Sequence, residues 1–178
     1  LGTVSASAKQ TFAEFAPMVF KPVELPMTRE EFQDFSTEKK DKVKQVSFYT
    51  PSAFKTDKGC RRRMENATAC NLIALDIDSE IDAKRVLTMP VTAALAPWGH
   101  VVHTTAKSTD EVPRLRVVVS ADNIPVERYG DALALIASRL ELSVITKESK
   151  VAVQPMYRPV TFEGDTFEDS PILFVDYK

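Results

Sequence analysis

The chain has few of the features that would assign it at once to a secreted or membrane class. Its 178 residues include only two cysteines, Cys60 and Cys70, which excludes a disulfide framework and makes a reducing cytoplasm the expected compartment. No run approaches the roughly 20 apolar residues of a membrane helix, and the start lacks the basic and apolar regions of a signal peptide. No membrane partner is therefore expected.

An excess of one charge is also missing, because 23 Lys and Arg oppose 25 Asp and Glu. A protein coated in basic residues is excluded, but an average conceals local fields. Residues 55–63 are strongly basic, which suits phosphate groups or, alternatively, a loop that is simply solvated.

The apolar pattern predicts an α+β fold with a mixed sheet, since helices and strands alternate only loosely. We expect one domain over 1–178, with an N-terminal helical arm at 1–50 and a core at 51–178. Without an initiator Met, the chain is expected to be excised from a longer protein. Helices are predicted at 29–45, 79–87 and 125–142, a loop at 50–69, and strands at 46–49, 71–78, 91–96, 100–105, 114–120, 151–157 and 172–177.

Asp76 and Asp78 are the first candidates for a chemical site. They end an apolar run, 71–78, that is typical of a buried strand. Side chains two apart on a strand share a face, so the two carboxylates converge. They need positive compensation, either from a divalent metal such as Mg²⁺ or Mn²⁺ or from an arginine or lysine pair. Otherwise the acids simply face solvent.

Arg114 and Arg116 form a second pair on one strand face, with Leu115 pointing the other way. The guanidinium fork matches phosphate oxygens, which makes the pair a candidate phosphate site. The alternative is a structural ion pair, including one with the two acids. Either interpretation places the two strands side by side.

The two histidines, His100 and His103, lack a metal-binding pattern. Two residues separate them, so their imidazoles point to opposite faces, unlike those of a single-strand-nicking endonuclease. Zinc binding together with the two cysteines also fails, because no CxxC pair is present. His103 alone is either a nucleotide-phosphate contact or a satisfied structural histidine.

The order of these elements resembles the primase-polymerase domains of phage and plasmid replication proteins, which belong to the archaeo-eukaryotic primase superfamily. The segments LIALDIDS, HTTAKSTDEVPRLRVVV and QPMYRP follow one another as they do in that family, with a helix before the third. The resemblance covers roughly 54–165 of the chain. It implies an RNA-recognition-motif-like sheet with flanking helices, joined to a smaller N-terminal α/β unit.

Carried onto this sequence, the resemblance implies that Asp76 and Asp78 hold Mg²⁺ or Mn²⁺. The nucleotide-binding residues that it indicates are His103, Lys107, Arg114, Arg116 and Tyr157. On the same interpretation the basic loop binds the DNA template through Lys55, Lys58, Arg61, Arg62 and Arg63.

Two positions depart from the family pattern. A histidine that serves the nucleotide's phosphates falls on Ala106 here, so either His103 or Lys107 substitutes or the role is lost. The family's third metal-binding acid falls near Thr146. Glu148 is the acid in that loop, and we take it as the third catalytic candidate.

Three functions are compatible with these residues. The preferred one is a template-dependent nucleotidyltransferase, a DNA primase or polymerase that uses a DNA template and nucleoside triphosphates. A helicase domain elsewhere in the full-length chain is left open. The alternatives are a catalytically degenerate DNA- or nucleotide-binding domain of a replication initiator, and a metal-dependent phosphatase or nuclease.

Overall fold

The computed structural model of the protein describes residues 11–44, 46–55 and 62–178. Within these ranges the chain forms six α-helices and nine strands. None of these helices combines the length and the apolar character needed to cross a bilayer. In chain order the elements are α1 (Phe12–Val19), β1 (Val23–Leu25), α2 (Arg29–Asp34), α3 (Thr37–Val43), β2 (Phe48–Tyr49), β3 (Ser52–Phe54), β4 (Ala67–Ile77), α4 (Glu80–Thr88), α5 (Val91–Ala94), β5 (His100–Thr104), β6 (Leu115–Ile124), α6 (Tyr129–Arg139), β7 (Met156–Tyr157), β8 (Val160–Phe162) and β9 (Ile172–Asp176).

Five strands form one central sheet in the order β3-β4-β6-β5-β9. Each neighbouring pair in that sheet runs antiparallel. Two small pairings lie beside it, a parallel one between β1 and β8 and an antiparallel one between β2 and β7. The predicted α+β class is confirmed. The expected mixed sheet is not found as one sheet in the described residues, because the central sheet is antiparallel and the parallel pairing lies in the separate β1–β8 sheet.

The side chains of β4 alternate between two hydrophobic cores. Leu75 belongs to a cluster with Val86 of α4 and Leu133 of α6. On the opposite face, Ala74 belongs to a cluster with Phe20, which follows α1. The sheet is therefore covered by helices on one face and by the N-terminal arm on the other.

A third cluster fixes the N-terminal arm, which we define as residues 11–44, beside the loop between β5 and β6. Phe32 of α2 is fully buried, and its ring centroid lies 5.3 Å from that of Phe162 in β8. Val43 of α3 and Ala106 of the loop both pack against this cluster. Hydrophobic burial thus places the end of α3 next to the loop that follows β5.

Two helices replace the single helix predicted at 29–45. Thr28 and Glu31 form the expected capping box at the start of α2. The helix then stops because Phe35 has an extended backbone, and the Ser36 side chain accepts a backbone N–H at the start of α3. Gln45, the predicted end of the helix, lies outside the described residues.

The strand predicted at 91–96 is wrong, because α5 occupies this position. Pro90 precedes the helix, and the Leu95 N–H donates to the Val91 carbonyl oxygen at 2.9 Å. Val91 and Leu95 are both buried, and their spacing of four residues suits one face of a helix. A short apolar run cannot distinguish these two structures by itself.

The strand predicted at 151–157 shortens to β7, and the predicted loop at 50–69 contains β3 and the start of β4. The Ala152 carbonyl oxygen accepts from Ser52 Oγ at 2.8 Å, and the Val153 carbonyl oxygen accepts from Arg62 Nη1 at 3.1 Å. Side-chain donors therefore satisfy backbone groups that a strand ladder would otherwise pair.

Candidate functional site

The register between β4 and β6 places the two aspartates opposite the two arginines. Asp76 is the register partner of Arg116, and Asp78 lies beside Arg114 just beyond the last register pair, Ile77 and Leu115. Arg116 Nε and Nη2 donate to the two oxygens of Asp76 at 2.5 and 3.0 Å. Arg114 Nη1 lies 3.4 Å from Asp78 Oδ1. An arginine pair therefore compensates the acids in this structure.

The two ion pairs differ in burial. Side-chain exposure is 15% for Asp76 and 11% for Arg116, against 50% for Asp78 and 37% for Arg114. Arg116 Nη1 also donates to the Tyr157 carbonyl oxygen at 2.9 Å, which fixes the guanidinium from a third side. We call the Asp76–Arg116 pair the inner pair and the Asp78–Arg114 pair the outer pair.

His103 continues the inner pair onto the next strand, because it is the register partner of Arg116 across β5 and β6. Its side chain is buried, and Nδ1 lies 2.7 Å from the Thr104 carbonyl oxygen. A carbonyl only accepts, so Nδ1 carries the proton and Nε2 carries a lone pair. Among the described residues Nε2 has no hydrogen-bond partner. Burial, together with the charge of Arg116, lowers the pKa of His103 to about 4, so the ring is neutral at pH 7.

A cleft of about 260 Å³ brings most of the predicted site together. It lies on the face of the sheet that carries the two ion pairs, between the loop after β5 and the segment before β7. Eight predicted residues line it: Asp76, Asp78, His103, Lys107, Arg114, Arg116, Glu148 and Tyr157. Residues from four separate segments of the sequence thus converge on one concave surface.

The cleft also contains residues that sequence reasoning did not assign to the site. Lys44, at the C-terminal end of α3, is one, and Thr105, Gln154 and Arg158 are others. Lys44 lies in a helix with several lysines, and no sequence signal distinguishes it from the rest. Only the packing of the arm against the loop after β5 brings it to the cleft.

Arg158 has a structural role within this lining. Its guanidinium donates to the carbonyl oxygens of Val19, the last residue of α1, at 2.8 Å and of Lys21 at 2.6 Å. A further bond, at 3.2 Å, goes to the Met18 carbonyl oxygen. These carbonyls at a helix end lack intrahelical partners, so Arg158 ties the N-terminal arm to β7 and β8.

A side-chain hydroxyl fixes the loop that carries Glu148 to the backbone of Asp76. The Asp76 N–H donates to Ser149 Oγ at 2.8 Å, and Ser149 Oγ lies 2.8 Å from Thr146 Oγ1. The position where the resemblance implies a third acid therefore holds a hydroxyl that bonds within the loop. Glu148 itself is exposed at the rim of the cleft, and Ala106 lines the cleft without a polar side-chain atom.

The predicted DNA-binding loop is described only in part. Lys58 and Arg61 lie outside the described residues, whereas Lys55 is exposed. Arg62 uses Nη1 for the bond to the Val153 carbonyl oxygen, and Arg63 lies 3.4 Å from Glu65 in an exposed ion pair. The role of this loop in DNA binding stays a prediction.

Asp76 and Asp78 are arranged as partners of arginines rather than as a metal centre. Both oxygens of Asp76 accept from Arg116, and Asp78 faces Arg114. Within the described ranges, no three His, Cys, Asp or Glu side chains are grouped so that they could hold a metal ion. In this arrangement the residues do not fit a two-metal site.

The antiparallel sheet and the cation-lined cleft define an α+β domain whose surface chemistry suits phosphate groups. Comparison with protein families identifies it further, because the sequence model of the VapE N-terminal domain matches residues 6–174. The chain therefore belongs to the VapE N-terminal domain family, which is associated with phage and plasmid replication. No curated protein and no solved structure matches the chain significantly.

Proposed function

We propose that this domain binds a nucleotide through its polyphosphate group in the cleft, as a non-catalytic part of a phage or plasmid replication protein. The observation that supports this most is the convergence of Lys44, Lys107 and Arg114, from three separate segments, on one cleft. Their side chains are 28%, 26% and 37% exposed, so a ligand can reach them. The concave shape of the cleft favours a small ligand over an extended strand.

Binding without catalysis is favoured because the Asp76 carboxylate is already paired with an arginine. Arg116 occupies both oxygens of Asp76, and removing an arginine from a mostly buried carboxylate would leave an unpaired charge. The positions where the family resemblance implies a histidine and a third acid hold Ala106 and Thr146. The cleft thus keeps cations for phosphates but lacks two of the implied catalytic groups.

A template-dependent nucleotidyltransferase is the second candidate. Asp76, Asp78 and Glu148 all line the same cleft, which favours this activity over a chance pairing of acids with arginines. On this proposal Asp76 and Asp78 would hold Mg²⁺ or Mn²⁺, and Arg116 would first have to release Asp76. The basic loop from Lys55 to Arg63 would contact the DNA template.

Two measurements on the purified chain separate these functions. Calorimetric titration of ATP in the presence of EDTA should show binding, and Arg114→Ala should weaken it by about tenfold, since a hydrogen bond to a charged group is lost. Arg128→Ala is the matched control, because Arg128 pairs with Asp131 in an exposed ion pair at 2.6 Å.

The second measurement is primer extension with labelled nucleotides and Mg²⁺ or Mn²⁺, beside an Asp76→Asn, Asp78→Asn double variant. We expect no extension from either protein. Extension by the wild type that the double variant loses, together with no ATP binding in EDTA, would favour the nucleotidyltransferase.

A further inference from the structure

Asp41 of α3 holds two lysine amines at the cleft. Lys44 Nζ lies 2.9 Å from Asp41 Oδ1, and Lys107 Nζ lies 2.8 Å from the same oxygen. The two amines are therefore close neighbours, although they come from the N-terminal arm and from the loop after β5. Two ammonium groups at such a separation repel each other, and the Asp41 carboxylate between them offsets that repulsion in this structure.

Hydrophobic packing explains why the two lysines meet. Val43, immediately before Lys44, and Ala106, immediately before Lys107, pack against the same cluster around Phe32. The amine of Lys40 donates to the Gln33 carbonyl oxygen at 2.6 Å, which ties α3 to α2. The arrangement is thus held by the fold and does not depend on one exposed ion pair.

Resting on the nucleotide-binding function proposed above, we propose that Lys44 and Lys107 form a two-amine clamp for the terminal phosphate of the nucleotide. Asp41 is the positioning residue that gathers the amines. A terminal phosphate carries close to two negative charges above its second pKa of about 6, whereas a phosphodiester carries one. Two adjacent ammonium groups match the terminal phosphate, so the cleft should prefer a free nucleotide over a nucleic-acid backbone.

The test compares two ligands that differ by one charge, ATP and its γ-phosphate methyl ester, in calorimetric titrations with EDTA at pH 7.5. Wild type should prefer ATP by about tenfold, the effect of one charge-assisted contact. Lys44→Ala and Lys107→Ala should each remove most of that preference. Lys42→Ala is the control, because Lys42 is 72% exposed and pairs with Glu38 on the same helix.

Asp41→Asn tests the positioning role. We expect the preference for ATP over the ester to fall several-fold, because the neutral amide no longer holds both amines, and we expect Asp41→Glu to restore part of it. A mere structural role would weaken both ligands equally. Tighter ATP binding in Asp41→Asn would show that this carboxylate competes with the ligand, and would overturn its positioning role.

The outcomes distinguish the clamp from the underlying function. If wild type binds neither ligand, the nucleotide-binding function itself fails. If wild type binds both and Arg114→Ala weakens them, while Lys44→Ala keeps the full preference for ATP, only the clamp is overturned. Equal binding of a single-stranded oligonucleotide lacking terminal phosphates would likewise overturn the preference for a free nucleotide.

Discussion

The inner and outer ion pairs have the same chemistry and lie two residues apart in the sequence, yet the fold uses them differently. The inner pair lies within β4 and β6, whereas Asp78 follows the end of β4 and Arg114 precedes the start of β6. Arg116 in the inner pair is 11% exposed and contacts both Asp76 and the Tyr157 carbonyl, whereas Arg114 in the outer pair is 37% exposed. The Tyr157 carbonyl oxygen of β7 contacts the inner pair, whereas the outer pair lies just beyond the ends of β4 and β6. Two aspartate–arginine pairs with the same sequence spacing can therefore become one buried structural pair and one pair that is accessible to a ligand.

The largest expected effect comes from breaking the inner pair. Arg116→Ala should lower the free energy of unfolding by about 3–5 kcal/mol, because it leaves the Asp76 carboxylate unpaired and mostly buried. Denaturant unfolding followed by circular dichroism measures this loss. The double variant Asp76→Leu, Arg116→Met should recover much of it, since no buried charge remains. A loss below about 1 kcal/mol for Arg116→Ala would mean that the inner pair behaves like a surface pair.

A second prediction concerns the pH dependence contributed by His103. Its folded pKa of about 4 lies below the ordinary value of 6.5, so the unfolded chain binds more protons between these values. The stability contribution is fully present above about pH 6.5 and is lost as the pH falls towards 4, by about 3 kcal/mol in total. His103→Gln should remove this part of the pH dependence. The prediction is wrong if the free energy of unfolding changes with pH in the same way for both proteins between pH 4 and 6.5.

A smaller effect is expected from the serine that supports the inner pair. Ser149→Ala removes the hydroxyl that accepts the Asp76 N–H, and should cost about 1–2 kcal/mol because a partly buried donor loses its partner. Thermal unfolding measures the change. Ser170→Ala is the comparison, because Ser170 Oγ also accepts a backbone N–H, that of Ile172, but over a longer distance of 3.3 Å. We expect a smaller loss from this weaker bond.

The smallest expected change in stability comes from breaking the outer pair. Arg114→Ala should alter the free energy of unfolding by at most about 1 kcal/mol, because exposed ion pairs contribute little. The same variant should weaken ATP binding by about tenfold, the loss of one charge-assisted contact. If Arg114→Ala lowered the free energy of unfolding as much as Arg116→Ala in the same denaturant series, the two pairs would not differ in their contribution to stability.

Several parts of the fold could be predicted because their signals are local. The capping box at Thr28 and Glu31 depends on residues three apart, and the buried strand β4 depends on a continuous apolar run. Other predictions were wrong because the local sequence pattern suits two structures or gives no signal. The helix α5 consists of a short apolar segment that also suits a strand. In the region before β7, backbone carbonyl oxygens accept hydrogen bonds from side chains about 90 or more positions away in the sequence.

The sequence by itself determined that Asp76 and Asp78 point to one side of their own segment and that Arg114 and Arg116 point to one side of theirs, because alternation on a strand is a property of neighbouring residues. The register between β4 and β6 decided that arginines, rather than any other partner, face these acids here. That register depends on burying apolar residues on both faces of the sheet at once, which is a property of the packed whole. For the same reason only the tertiary structure brought Lys44 to Lys107, since the cluster around Phe32 joins segments that no local pattern connects.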